Sequence, residues 1–359
     1  MARYFCEPLS QTEYDVVILG TGLPESILAA SLALAGSRVL HLDPNSFYGG
    51  EWATIPLSQI DQLVADSVTA PAEDNHLRMY QTPGADVKEQ IERELGPHYQ
   101  LRNLPEVFAH RRMFPDGLRL MAPNNPVSEQ IPPERTREFC LDFTPRPLMA
   151  AGAMIDLLVR TNVGHYLDFR GLDGLYVEFG EPHGLQHVPG SRSDVFQNRF
   201  VSMIEKRLLM RFVKKCYDGR DSLANETEQE IENRTFLDEM SEMDLTEKLQ
   251  EFILHSIAFA TGKETSLGRT EGMDMVRTYQ QSMMKYGTKT PFLYPNYGWG
   301  EVAQAFCRLC AVNGGVYVLR RGWTSVISGN GEGEESESSS RGALPNESTV
   351  AGVVTTEQE

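Results

Sequence analysis

Two glycines and two acids mark the first chemistry this sequence could do. Gly20 and Gly22 stand in the run Gly20-Thr21-Gly22-Leu23-Pro24-Glu25, between the β-rich stretch DVVIL and the apolar stretch ESILAASLALAG. A dinucleotide cradle needs three glycines at G-x-G-x-x-G. The first makes the turn, the second lets the backbone approach the pyrophosphate, and the third lets helix and strand pack closely. Here the third position is Glu25. Its carboxylate belongs to the first helical turn, where a helix N-terminus would otherwise attract an anion, so it can supply the negative charge itself and repel a phosphate. Asp43 ends the second β-rich run, RVLHLD, where an acid can meet a ribose hydroxyl. With DPNS following, it reads equally as a turn residue. The four residues are the vestige of a cofactor motif, and no bound cofactor is expected.

Other chemistry is sparse. Cys307 and Cys310 form a lone C-x-x-C with no second pair to complete a zinc site, and buried structural cysteine is the better reading. Five cysteines are too scattered for a disulfide framework. No Ser/His/Asp or metal-ligating constellation stands out among the eight histidines, so no catalytic residue and no metal ligand is assigned.

The elements that must position these residues follow the same order. Residues 15–43 read strand, helix, strand, a βαβ unit whose parallel strands need a right-handed crossover. Gly36 stops the helix. Residues 60–135 read as an irregular surface insertion. PRPLMAAGAMIDLLVRTNV predicts a helix with an apolar stripe of Leu148, Met154, Ile155, Leu158 and Val159, and LYVEFGEPHGLQHVP predicts a hairpin. From Ser193 to Tyr286 the pattern is helical, with Ser193 as N-cap and Asp194 in the first turn. Asp221 to Glu251 holds eleven acids and two bases, which a solvated connector and helix face explains. EVAQAFCRLCAVNGG then VYVLRR reads helix, turn, strand, bringing the chain back to its first domain. The polar loop 328–348 reads as disordered.

The fold class is therefore α/β, in a wider sense α+β: an FAD/NAD(P)-binding Rossmann-like domain from 1–187 and 287–359, with a small helical domain, 188–286, inserted in it. Chain length, 359 residues, suits two domains. A net charge of −17 argues against a uniformly basic nucleic-acid binder. The start MARYFCEPLSQTEYD has no signal-peptide pattern and no run approaches a membrane span. The expected place is the cytosol.

Three separated blocks carry a resemblance. YDVVILGTGLPESILAA with VLHLDPNSFYGG, LDFTPRPLMAAGAMIDLLVRTNVGHYLDF, and TPFLYPNYGWGEVAQAFCRLCAVNGGVYVL together resemble the superfamily of Rab GDP-dissociation inhibitors and Rab escort proteins. The resemblance implies a GDI-like, flavoprotein-type fold without flavin chemistry. It also implies binding of GDP-form Rab GTPases, an accessory role beside the Rab geranylgeranyltransferase α/β heterodimer, shielding of geranylgeranyl lipid, and transient contact at membranes, with the nucleus as a further place. The family's Rab contacts fall on Tyr48, Glu301, Gln304 and Arg308, with Lys285, Arg135 and Arg137 as further basic positions. Leu23-Pro24-Glu25-Ser26 is similar to the escort branch, where the recycling branch reads LTEC. SDVFQNRFVSMIEKRLLMRF resembles the escort segment that docks on the transferase, placing its anchor on Phe196 and the supporting arginine on Arg207. Eleven residues at 100° make about three turns plus 20°, so an unbroken helix would put both on one face, unless Gln197-Asn198 breaks it. A methionine-bearing lining, Met203, Met210, Met273, Met275, Met283 and Met284, suits an apolar lipid.

This chain departs from the family at Lys285, where the family has arginine, at GEVAQ for GELPQ, and at Val316 and Val318. Family chains also continue past the position of Glu359, so an incomplete first domain with an unpaired strand edge is expected. A recycling inhibitor and a flavin amine oxidase remain as alternative readings.

Overall fold

In the computed structural model the described residues are 13–57, 99–103, 138–142, 144–179, 184–189, 201–218, 234–260, 265–329 and 349–357, with isolated residues between. The chain forms two compact units, Met1–Pro145 with Tyr297–Glu359, and Arg146–Asn296.

The first unit opens as expected. Strand β1 (Val16–Leu19), helix α1 (Leu23–Leu34) and strand β2 (Val39–Leu42) form the βαβ unit, with Val16 opposite Val39 in parallel register. Gly36 adopts φ +90°, the left-handed stop for α1. Strand β3 (Thr54–Pro56) pairs with β5 (Cys140–Asp142). Between them β4 (Tyr99–Asn103) is a regular strand inside the stretch read as irregular, and the rest of 60–135 lies almost wholly outside the described residues.

In the second unit, β6 (Leu148–Met149), helix α2 (Ala153–Arg160), β7 (Phe169–Gly171) and the hairpin β8 (Tyr176–Phe179)–β9 (Gly184–His187) come first. Helices α3 (Met203–Asp218), α4 (Phe236–Glu242), α5 (Glu247–Ser256) and α6 (Arg269–Lys285) follow, then β10 (Phe292–Pro295). Strand β10 lies between β6 and β7, antiparallel to both. Those pairings, together with Val188, Met149, Leu175 and Val177 packed on the helical core around Phe212, Phe236 and Phe252, draw residues 146–187 and 287–296 into this unit. The unit boundaries therefore fall at 145/146 and 296/297, not at 187/188 and 286/287. The α2 stripe is narrower than the pattern suggested. Ile155 and Leu158 are buried, Leu148 belongs to β6, and Val159 is 62% exposed.

The chain returns to the first unit through helix α7 (Gly300–Val312) and strand β11 (Val316–Val318), which pairs parallel with β2. The sheet order is β1-β2-β11. Strands β12 (Arg321–Gly329) and β13 (Thr349–Glu357) pair with each other, and β12 also pairs with β4. Ser328 and Gly329 belong to β12, so the front of the loop read as disordered is strand. Residues 330–348 lie outside the described set.

Helix α3 starts later than the sequence pattern indicated. Asn198 is not helical and α3 is capped at Ser202, whereas Ser193 lies outside the described residues and Asp194 after it is helical. Ser202 N–H donates to Glu205 Oε2 at 2.8 Å and Glu205 N–H donates to Ser202 Oγ at 3.3 Å, a reciprocal capping box. Thr246 Oγ1 and Lys248 Nζ, from the start of α5, reach the same carboxylate at 3.0 Å each. Burial alone would push the Glu205 carboxyl up, but the Ser202 amide, Lys248, the Ser202 hydroxyl and Thr246 outweigh it and hold it down to about 2. A depressed folded-state pKa contributes stability above the unfolded value, lost as pH falls through the folded one. Acid unfolding of the native chain should therefore include a loss between about pH 5 and pH 2. Glu205→Gln should flatten that part of a stability-against-pH curve measured by urea unfolding, and an unchanged slope would remove Glu205 from the account.

Candidate functional site

The glycine loop is closed by its own side chains. Gly20, at φ +93°, turns the chain out of β1, and its N–H donates to Leu42 O at 2.7 Å. Asp43, only 1% exposed at the end of β2, has both oxygens occupied. Oδ2 accepts from Thr21 N–H at 2.7 Å and from the Thr21 hydroxyl, and Oδ1 accepts from Asn45 N–H at 2.8 Å and Asn45 Nδ2 at 2.9 Å. Thr21 Oγ1 in turn accepts from Gly49 N–H at 3.0 Å. Asp43 N–H donates to Val318 O, Arg321 N–H to Asp43 O, and Arg320 N–H to Asn45 O, each at 3.0 Å. The acid that spacing places at a ribose instead clamps the loop 43–49 to the exit of β11.

Glu25 completes the closure. It is the third residue of α1, and its carboxylate folds back onto Gly22, so that any Cβ at Gly22 would collide with it. A pyrophosphate needs that space. It would also meet a like charge, and two unit charges 4 Å apart repel by about 1 kcal/mol in water and about 4 kcal/mol at an effective dielectric of 20. The loop residues do not fit a dinucleotide. Glu25→Gly alone should therefore fail to recruit flavin, because the four donors on Asp43 remain. Equilibration with flavin dinucleotide, desalting and a visible spectrum test this, and a stoichiometric yellow variant would refute it.

Beneath the loop, His41 is fully buried and its Nε2–H donates to Gly20 O, while burial lowers its pKa and keeps the ring neutral. Ser26 Oγ donates to Thr21 O at 3.1 Å and meets Cys307 Sγ at 3.2 Å, joining α1 to α7. Cys307 and Cys310 are both buried, and burial pushes both thiols up, the opposite of an activated nucleophile.

Helix α7 is fixed at its N-terminus by two strands. Trp299 N–H donates to both Asp142 oxygens at 3.0 and 3.1 Å, and Gly300 N–H donates to Thr54 Oγ1 at 2.8 Å. The Thr54 hydroxyl donates to Asp142. Gly298, at φ +91°, and Gly300 approach Thr54 so closely that neither position has room for a Cβ. Trp52 and Trp299 rings meet at 5.1 Å. With one face buried through Val302, Ala303, Phe306 and Cys310, the helix turns Gln304 and Arg308 outward and leaves Glu301 half-buried. Tyr48, also half-buried, sets its ring edge-on to Tyr317 at 5.8 Å, and its phenol pKa is raised by burial and by the nearby Cys307 thiol. Tyr48, Gln304, Arg308 and Glu301 thus belong to one unit, on elements tied to one another.

The remaining sequence-predicted positions are in the second unit or outside the described residues. Lys285 ends α6, exposed, with Nζ 3.2 Å from Asp156 and 5.7 Å from the Tyr286 ring. An open cavity of about 530 Å³ lies nearby, lined by Ile155, Leu158, Phe169, Tyr286 and Leu293, with Asn162, His165 and Thr288 as polar members. Arg207 is exposed on α3. Phe196 and Arg137 lie outside the described residues, and Arg135 pairs with Glu138 at 3.0 Å. Asn198, between Phe196 and Arg207 in the chain, is not helical, so the unbroken helix on which a shared face depended is not present. The methionines do not form one lining. Met273 is core, Met275 and Met283 are partly buried against that core, Met203 is 57% exposed, and the Met284 side chain is outside the described set. Among the described residues no helix is long and apolar enough to cross a membrane, and no cluster of His, Cys, Asp and Glu could hold a metal.

Sequence reasoning missed Thr54, Asp142 and Tyr317. The paired glycines of Tyr297-Gly298-Trp299-Gly300 were a signal for a close backbone approach, but not for its partners.

The model of the family described as GDP dissociation inhibitor matches residues 10–81 and 119–342. The chain belongs to this family. Among family relatives, a Rab proteins geranylgeranyltransferase component A of Drosophila melanogaster is 36% identical over 310 residues, 86% of this chain and 53% of that protein. A Rab GDP dissociation inhibitor beta of Rattus norvegicus is 29% identical over 89% of this chain and 59% of its own length. This chain therefore spans little more than half the length of these relatives. A crystal structure of the Rab GDI of Plasmodium falciparum superposes with a TM-score of 0.57 at 21% identity, covering 89% of this chain and 63% of that one, which shows the shared fold. Both Rab-directed branches are thus represented among the family members similar to this chain.

Proposed function

We propose that this chain binds GDP-form Rab GTPases through the Tyr48 loop and the outer face of α7, as a Rab escort protein does. The observation that carries this reading is the closed glycine loop. The hydrogen bonds that remove Asp43 and Thr21 from cofactor work are the same ones that fix residues 43–49, and with them Tyr48. A scaffold of dinucleotide-binding type is thereby turned into a protein-binding surface with an aromatic and an arginine, a common hot-spot composition.

In this reading the chain catalyses no bond formation. It presents the Rab C-terminal cysteines to the Rab geranylgeranyltransferase heterodimer, which docks at Phe196 and Arg207, then shields the prenyl chains and carries the Rab from cytosol to membrane. Each buried CH₂ contributes about 0.8 kcal/mol, so a twenty-carbon chain gains strongly from an apolar host. Tighter binding of the GDP form slows nucleotide release by linkage.

Titration of one Rab, GDP-loaded or loaded with a non-hydrolysable GTP analogue, tests the core of the proposal. The GDP form should bind more tightly. Tyr48→Ala and Arg308→Glu should each weaken it by about tenfold or more, the range of hot-spot truncations. Equal affinity for both nucleotide states, or variants that bind like the native chain, would defeat it. The similarity to a recycling inhibitor keeps that function as the second reading, separated below by the transferase.

A further inference from the structure

We infer that Tyr317 positions Tyr48 for GTPase binding, an inference that rests on the Rab-binding reading above. The strand period sets the geometry. In β11, Val316 and Val318 face Leu40, Leu42 and Trp323 on one side of the sheet. Tyr317, between them, points to the other side, opposite His41 of β2. Its ring lies 4.7 Å from the His41 imidazole, tilted 42°, and 5.8 Å from the Tyr48 ring, edge-on at 73°. Both distances fall within the range of favourable ring pairs.

The Tyr317 hydroxyl is buried without a hydrogen-bond partner of ordinary geometry. Burial, first, and the Cys307 and Cys310 thiols, next, hold its phenol far above the ordinary range. Those thiols lie on the inner face of the helix whose outer face carries Gln304 and Arg308. One ring therefore meets both β2 and the Tyr48 loop.

Its own position is fixed by its strand and by His41, which is held by Gly20 O. The backbone clamps reach Asn45 and Gly49, on either side of Tyr48. They leave the Tyr48 side-chain torsion to its ring contact. Tyr317 supplies that contact from a rigid strand. It is a positioning residue, with no contact to the partner of its own.

The test is a double-mutant cycle read as the Kd for a GDP-loaded Rab, with thermal unfolding of each variant in parallel. Tyr317→Phe keeps the ring and should bind within about twofold of the native chain, whereas Tyr317→Met fills the space without a ring and should weaken binding about two- to tenfold, the worth of one aromatic pair. On a Tyr48→Ala background Tyr317→Met should add nothing, while on an Arg308→Ala background it should keep its full effect. If Tyr317→Met does not fold, Tyr317→Leu takes its place in the cycle. A ringless variant that binds like the native chain, one whose loss adds to that of Tyr48→Ala, or a Phe variant as weak as Met, each overturns the inference. Native-like binding by Tyr48→Ala is a different failure, since it brings down the contact surface itself and this inference with it.

Discussion

Arg269→Leu should destabilise the second unit by about 3–5 kcal/mol, the cost of stranding a buried charge. Arg269 is the first residue of α6, and its guanidinium has no exposure to solvent. Its Nε lies 2.6 Å from Glu239 Oε2, an ionic contact at an angle outside hydrogen-bond geometry. Glu239, on α4, is equally buried, and its other oxygen pairs with Lys215 of α3. Three helices thus meet at one carboxylate. The neighbouring Cys216 thiol is pushed up to about 12, by burial first and then by the Glu239 charge. Removing Arg269 leaves Glu239 with only part of its compensation in an apolar core that includes Phe212, Phe236 and Met240. Glu239→Leu/Arg269→Leu should recover most of the loss, since replacing a whole buried pair by apolar groups is often neutral. Urea unfolding of the native chain, the single variant and the double variant reads both effects. A single-variant loss under about 1 kcal/mol would mean that the carboxylate is not held as a buried charge.

That network was invisible in the sequence for a physical reason. Glu239 sits in a segment with eleven acids and two bases, where a solvated face is the natural reading, and its partners are 24 residues before it and 30 after. Contiguous signals were legible. The βαβ unit at Asp15–Asp43 and the α7 helix follow from local periodicity alone. So did the displacement of the third glycine by Glu25, whose carboxylate lies where the spacing put it. Long-range pairing was not legible. Strand β10 inserts between β6 and β7, more than 120 residues away, and this moves both unit boundaries. Asp43 could be placed by spacing at a ribose or at a turn, and only the donors on Thr21 and Asn45 decide between them. The start of α3 was legible but overlooked. Ser202-Met203-Ile204-Glu205 has the S-x-x-E form of a capping box, nine residues after Ser193.

The separation of the two Rab-directed branches turns on α3. If the chain works as an escort protein, the native chain should bind the Rab geranylgeranyltransferase heterodimer, and Arg207→Glu should weaken that binding by about 2–4 kcal/mol, roughly thirty- to a thousandfold. Arg207 is exposed, with Ile204 73% exposed one turn before it and Arg211 exposed one turn after it, so this stretch of helix offers an apolar side chain beside cations. Charge reversal replaces an attraction with a repulsion and should cost more than truncation. Phe196→Ala should produce a comparable loss through its apolar anchor. Two internal checks accompany the measurement. Arg207→Glu should leave stability within about 0.5 kcal/mol, as for a surface substitution. It should also leave GDP-Rab affinity within about twofold, because Tyr48, Gln304 and Arg308 belong to the other unit. Raising the salt concentration should weaken the native complex with the transferase, by screening the exposed cations. A native chain that binds GDP-Rab but not the transferase would make it a recycling inhibitor, whereas transferase binding that survives both substitutions would keep the escort function and move its docking surface away from α3.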